Sequence, residues 1–201
     1  MPAIKGIIFD CFGVLLADVL KTRIDGLALT DPAKAEQLRD IVRASNRGML
    51  LRDEAAHQMA EILGIHYAEI LNAADTGEVK NQELIAFIKT LHPQYKVALL
   101  SNVRGRFRLE ERFDEGELDS IFDTVVASGD VGFIKPEPQI YELAARKLGL
   151  APTDCVMIDD VLEFCDGAAA TGMRTIQFHS NEQAIADLTV LLAEQKIDKQ
   201  R

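Results

Sequence analysis

Cysteine is scarce. Cys11, Cys155 and Cys165 are the only three in 201 residues, an odd count with no C-x-x-C pair. That argues against a disulfide framework and fits a reducing compartment. Positive charge is also short: 22 Lys and Arg stand against 32 Asp and Glu, a formal net charge of −10. Such a chain lacks the basic stripe that neutralises nucleic-acid phosphates or docks on anionic lipid, so neither partner is expected. Long apolar runs are missing. The opening MPAIKGIIFDCFGVLL has one lysine before its apolar stretch, which Asp10 interrupts, so it reads as neither signal peptide nor membrane span. A cytoplasmic location is the expectation. The four histidines (His57, His66, His92, His179) show no metal-ligand spacing. The densest basic stretch, Arg104, Arg106, Arg108 and Arg112, is interleaved with Glu110 and Glu111 and reads as a solvated helix face.

With 48% hydrophobic residues the chain has ample material for a core, in one domain or one domain plus an insert. Five short apolar runs read as buried parallel strands: Lys5–Phe9, Lys96–Leu100, Thr124–Ala127, Cys155–Ile158 and Arg174–Phe178. Helical periodicity lies between and after them. Leu84, Ile85, Ile88 and Leu91 form one apolar face; Ile140, Leu143, Ala144 and Leu148 form another, with Gly149 as a C-terminal stop. A last helix opens with a capping-box pattern at Ser180–Gln183. Strands alternating with helices predict an α/β fold with a doubly wound parallel sheet. The alternation breaks once. About eighty residues after the first strand carry helical but no strand signals (Ala33–Ala44, Arg52–Leu63, Tyr67–Ala74). The expected organisation is a core of residues 1–15 and 92–201 with a helical cap of 16–85 roofing the carboxyl ends of the strands, where ligands bind in such sheets.

Those strand ends carry the chemistry. Asp10 follows the first strand, Ser101 and Asn102 the second, a loop with Lys135 the third, and Asp159 and Asp160 the fourth. Carboxylates of this kind hold Mg²⁺, which bridges to a substrate phosphate. A lysine balances phosphoryl charge, and Ser, Asn and main-chain N–H groups donate to its oxygens. Asp10 is left as a nucleophile able to form an aspartyl-phosphate. Cys11, with no histidine at a suggestive place, is not read as one.

The strings IIFDCFGVLL, VALLSN, KPEPQIYELAARKLG and VMIDD…GAAATGM resemble, in order and spacing, the four motifs of the haloacid dehalogenase superfamily. The stretch NRGMLLRDEAAHQMAEILGI resembles the helical cap of the subfamily containing sugar-phosphate phosphatases and the phosphatase domain of soluble epoxide hydrolase. The resemblance implies a Rossmann-like core and a Mg²⁺-dependent hydrolase acting on a small phosphorylated substrate. Asp10 would be the nucleophile, Ser101 and Asn102 would bind the transferring group and Lys135 would balance its charge. Asp160 would ligate the metal with Asp159 beside it, and the main-chain carbonyl of Phe12 would be a further ligand.

Two positions depart from the pattern. Phosphatases of the family usually carry a second aspartate two residues after the nucleophile, where this chain has Phe12; four residues after Asp160, where Asn or Asp is usual, it has Phe164. Losing a general acid/base typically costs 10²–10⁴-fold in rate. Three readings stay open: a phosphatase that tolerates a poor acid, a capped domain that binds phosphorylated ligands or protein with little turnover, and a 2-haloacid dehalogenase, whose halide leaves without a proton. Arg23, Arg43, Asn46 and Arg47 are the cap groups that could reach a substrate, although a solvated face is the simpler reading.

Overall fold

The computed structural model describes residues 3–75 and 79–198. Among these, five parallel strands run β1 (Gly6–Phe9), β2 (Lys96–Ser101), β3 (Thr124–Ala127), β4 (Cys155–Asp159) and β5 (Arg174–Gln177), in the order β3-β2-β1-β4-β5. The chain therefore travels outward from β1 to β3, returns to place β4 on the other side of β1, and continues to β5. That reversal puts the topological switch point between β1 and β4, where an open sheet parts to admit a ligand. Two of the expected strands extend by one residue, so Ser101 and Asp159 are terminal strand residues rather than the first loop residues.

Alternation along each strand divides the core in two. Ile7 and Phe9 of β1, with Val97, Leu99, Val125, Val156 and Ile158, join one buried cluster. Ile8, with Ala98, Leu100, Val126 and Met157, joins another. The first is covered by α5 (Gln82–Leu91), through Leu84, Ile85, Ile88 and Leu91, and by α11 (Asn181–Asp198), through Ala184, Leu188 and Leu192. The second is covered by α9 (Pro138–Lys147) and α10 (Leu162–Ala170), with Ile140, Tyr141, Ala144 and Ala168 fully buried. Gly149, just past α9, has φ 71° and ends it as expected. At the start of α11 the Gln183 N–H donates to Ser180 Oγ (3.2 Å), while the Gln183 side chain accepts from His179 N rather than from Ser180 N.

The interval after β1 forms α1 (Val19–Ala28), α2 (Pro32–Asn46), α3 (Arg52–Leu63) and α4 (Tyr67–Asp75). These helices bury a cluster of their own, built on Ile24, Ala35, Leu38, Ala55, Ala56, Met59, Ala60 and Ile70. Asp18 and Asp31 cap the first two through the N–H groups of Lys21 and Lys34. Leu84 and Ile85 fall inside the expected cap boundary at residue 85, yet both are buried against the sheet; the helical unit ends before α5. It leaves and re-enters the core through a short ladder: Leu16 bridges Lys80 antiparallel, Ala17 N donates to Val79 O (3.3 Å) and Asn81 N donates to Leu15 O (2.8 Å). Among the described residues no helix is long and apolar enough to cross a membrane.

Candidate active site

Asp10, Lys135, Asp159 and Asp160 meet at the carboxyl edge of β1 and β4. Asp10 N donates to Ile158 O (2.9 Å), which carries the β1–β4 ladder one residue past the strand and fixes the carboxylate over the switch point. Lys135 Nζ lies 2.7 Å from Asp10 Oδ1 and 2.6 Å from Asp159 Oδ2, and its side chain is 1% exposed. Asp159 Oδ1 accepts from Val161 N (3.0 Å), so both of its oxygens are engaged within the protein. Asp10, Asp159 and Asp160 each offer an oxygen within 4.8 Å of the others. Lys135 thus pairs with two of the three carboxylates.

The residue after Asp10 starts a tight loop. Cys11 O accepts from the N–H groups of Val14 (3.4 Å), Leu15 (2.7 Å) and Leu16 (2.8 Å), and Gly13 adopts φ 96°. A Cβ on Gly13 would sit 2.6 Å from Asp160 Cγ and Oδ1, so Asp160 rests on bare backbone where only glycine fits. Asp160 Oδ1 and Ser101 Oγ are buried without a hydrogen-bond partner. Buried polar atoms are normally hydrogen-bonded, so two without partners at one sheet edge call for an explanation. Phe12, half-buried, packs its side chain against the first core cluster and brings no titratable group.

The Asn102 side chain is engaged within the protein. Its Nδ2 donates to Lys135 O (3.0 Å) and its Oδ1 accepts from Lys135 N (2.8 Å), so the side-chain amide clamps the main chain of Lys135. Phe164, in the first turn of α10, lies with its ring centroid 4.9 Å from Lys135 Nζ, while its carbonyl accepts from Tyr141 Oη (2.7 Å).

Burial pushes the Asp10 carboxyl well above the ordinary range; Lys135 opposes the shift, and Asp159 and Asp160 reinforce it. Asp160 is raised by burial and by Asp159, against the pull of Lys21 and Lys135. Burial draws the Lys135 ammonium down, but Asp10 and Asp159 outweigh it and hold the charge.

The helical unit reaches the site through a residue the sequence reading passed over. Lys21 Nζ, on α1, stands 3.6 Å from Asp160 Oδ2 and 3.3 Å from Asp25. No periodicity or motif marks it. Of the cap groups singled out, Arg23 is exposed, Arg43 pairs with Glu36 and Asp40 on the surface, and Arg47 pairs with Glu137 of the core. Asn46 offers its carbonyl to Ser128 Oγ. The basic stretch after β2 is less solvated than its pattern suggested. Arg106 pairs with Glu110 and Asp119, but the side chains of Arg108 and Arg112 are only 13% and 9% exposed.

Comparison with known proteins places the chain in a family. The model of the haloacid dehalogenase-like hydrolases matches residues 4–172. A phosphatase from Mycobacterium tuberculosis is 32% identical over 79 residues, which make up 39% of this chain and 36% of that protein. Human N-acylneuraminate-9-phosphatase is 33% identical over 82 residues, 41% of this chain and 33% of that protein. The matched segments thus span about a third of either relative's length. Among solved structures, a HAD-like family hydrolase from Porphyromonas gingivalis superposes with TM-score 0.72 at 26% identity, covering 94% of this chain and 98% of that one. A HAD family enzyme from Bacteroides thetaiotaomicron, in complex with magnesium and inorganic phosphate, shares the fold with TM-score 0.69 at 21% identity, over 89% and 96% of the two chains. With the family model spanning most of its length, the chain belongs to the haloacid dehalogenase-like hydrolases.

Proposed function

We propose that this chain is a Mg²⁺-dependent phosphatase that cleaves a small phosphate ester through an aspartyl-phosphate on Asp10. The observation that carries the reading is the pairing of Asp10 with buried Lys135 at 2.7 Å, beside the partnerless Ser101 Oγ and Asp160 Oδ1. Asp10, Asp160 and the Phe12 carbonyl would hold the cation, with Asp159 contributing through water while it anchors Lys135. Bound there, Mg²⁺ would supply positive charge against the carboxylates and the phosphoryl oxygens.

The protein groups divide the remaining work. An Asp10 oxygen attacks phosphorus as the ester P–O bond breaks, and the leaving oxygen takes its proton from solvent because Phe12 offers none. Ser101 Oγ donates to a phosphoryl oxygen, and Lys135 Nζ balances the charge that builds up there. Asn102 keeps Lys135 in place. Water then attacks the phosphorus of the intermediate, releasing phosphate and restoring Asp10. Helices α1–α4 act as the cap, and the core consists of the chain up to Leu16 together with the chain from Lys80 onward.

Phe12 also favours a second reading, a capped domain that binds phosphorylated ligands with little turnover. One assay separates the readings: hydrolysis of an aryl phosphate with and without Mg²⁺, beside Asp10→Asn. Mg²⁺-dependent release that Asp10→Asn abolishes supports the phosphatase. Phosphate binding without release, in wild type and variant alike, supports the binding domain. Chloride release from 2-chloropropionate without metal would replace both with a dehalogenase.

A further inference from the structure

Three buried side-chain atoms among the described residues lack a hydrogen-bond partner: Ser101 Oγ, Asp160 Oδ1 and Arg104 Nη1. The first two belong to the phosphoryl and cation positions. The third has no part in the chemistry above. Arg104 lies three residues past Ser101 on the loop leaving β2, at most about 10 Å of extended chain away.

Its backbone is held tightly. A Cβ on Gly129 would meet Arg104 O at 1.9 Å, so the loop rests directly on the start of α8 (Ser128–Val131). Ser128 Oγ accepts from Val103 N (2.9 Å) and also bonds Val103 O and, across the boundary, Asn46 O. On the other side a Cβ on Gly48 would lie 3.3 Å from Gly129 O. Arg104 therefore has its main chain where the β2 loop, α8 and the turn between α2 and α3 converge. Its guanidinium carbon lies 5.7 Å from the Phe107 ring centroid. Arg106, Arg108 and Arg112, its neighbours in sequence, all pair with carboxylates; among the described residues Arg104 makes no ion pair. A guanidinium N–H buried without an acceptor is costly, and a planar fork backed by an aromatic ring is suited to an in-plane bidentate acceptor.

We propose that Arg104 forms a second-anion subsite: the substrate carries a carboxylate in addition to its phosphate, and Arg104 binds that carboxylate. The proposal rests on the phosphatase reading of the neighbouring site. It makes the physiological substrate a small phosphorylated acid whose two anions lie within the reach of one arginine from Ser101.

Calorimetry with Mg²⁺ tests this on the full chain, using inorganic phosphate, phosphonocarboxylates of increasing spacer length, and alkyl phosphonates of matching length without the carboxylate. At least one phosphonocarboxylate is expected to bind ten-fold or more tightly than its uncharged match. Arg104→Gln should abolish that preference while weakening inorganic phosphate by at most three-fold, and Arg104→Lys should restore part of it. A wild type with no preference at any spacer length overturns the proposal. So does an Arg104→Gln variant that weakens all ligands equally, since that is the behaviour of a structural residue. A wild type that fails to bind inorganic phosphate removes the phosphatase reading itself, and the subsite with it.

Discussion

The ring of Phe164 covers Lys135. At 4.9 Å from ring centroid to Nζ, the face of an aromatic side chain completes the surroundings of an ammonium already flanked by Asp10 and Asp159. The contact gives the departure at position 164 a physical purpose, because a ring shields the lysine without adding a further acceptor. Buried cation–π contacts contribute about 0.5–2 kcal/mol. Phe164→Leu should therefore lower stability by about that amount in urea titrations. In a Lys135→Met background, where there is no charge to shield, the same change should cost less. Equal losses in both backgrounds would reduce Phe164 to a packing residue.

Lys135 itself should matter strongly to folding, because its buried ammonium pairs with two buried carboxylates. Removing one partner from a buried charge cluster typically costs about 3–5 kcal/mol. Lys135→Met leaves Asp10 and Asp159 facing each other, and a large drop in melting temperature is expected at neutral pH. The drop should shrink in acid, where Asp10 takes up a proton.

The pH dependence of the metal-free protein follows from Asp10 and Asp160. Both carboxyls are raised, so the folded chain binds their protons more tightly than the unfolded chain does. Stability from these two groups is therefore greatest below the ordinary carboxylate value of 3.8 and falls as pH rises from there through the raised folded values. Melting curves in EDTA should show wild type losing ground to Asp10→Asn as pH increases. Under the proposed function, added Mg²⁺ should pair with the ionised carboxylates and flatten that difference. A wild type that gains on the variant with rising pH would contradict the direction.

Gly13 has a sharper test. Alanine there would put a methyl group 2.6 Å from the Asp160 carboxylate, on a residue with φ 96°. The strained backbone should cost about 1–2 kcal/mol, and displacement of Asp160 should weaken Mg²⁺-dependent phosphate binding at least ten-fold by calorimetry. Stability loss with intact phosphate binding would mean Asp160 is not a cation ligand.

The prediction closest to the chemistry concerns Phe12. Without a positioned acid, an alkoxide leaves poorly while an aryl oxide of low pKa leaves unaided. Wild type should hydrolyse an aryl phosphate far faster than a sugar phosphate, and Phe12→Asp should raise the sugar-phosphate rate more. Comparable wild-type rates on both substrates would mean that another group supplies the proton.

Much of the fold follows from local pattern. The strands are short apolar runs with polar ends, and the helices carry clear 3.6-residue periodicity. The polar residues at strand ends were visible because a parallel sheet must gather them on one edge. What escaped the sequence depends on distant contacts. Lys21 reaches Asp160 through the tertiary fold alone, and nothing near residue 21 records that. That the Asn102 amide would also hold the Lys135 backbone is not written in the sequence around either residue. Alternating charge after β2 suggested open solvent, but Arg108 and Arg112 are largely covered. Leu84 and Ile85 have the same helical rhythm as the insert, and only burial assigns them to the sheet.

The ladder joining Leu16–Ala17 to Val79–Lys80 has a consequence for engineering. Its two short segments already lie side by side and antiparallel across the Leu16–Lys80 bridge, which is the geometry a two-residue Asn-Gly turn closes. The helices above it share their buried residues with one another, in a cluster separate from the two that sandwich the sheet. Helices α1–α4 are therefore expected to behave as an exchangeable unit on that stem. A miniature chain with Asn-Gly in place of residues 18–78 should still fold around its sheet, and a helical roof from another hydrolase should be graftable onto the same stem.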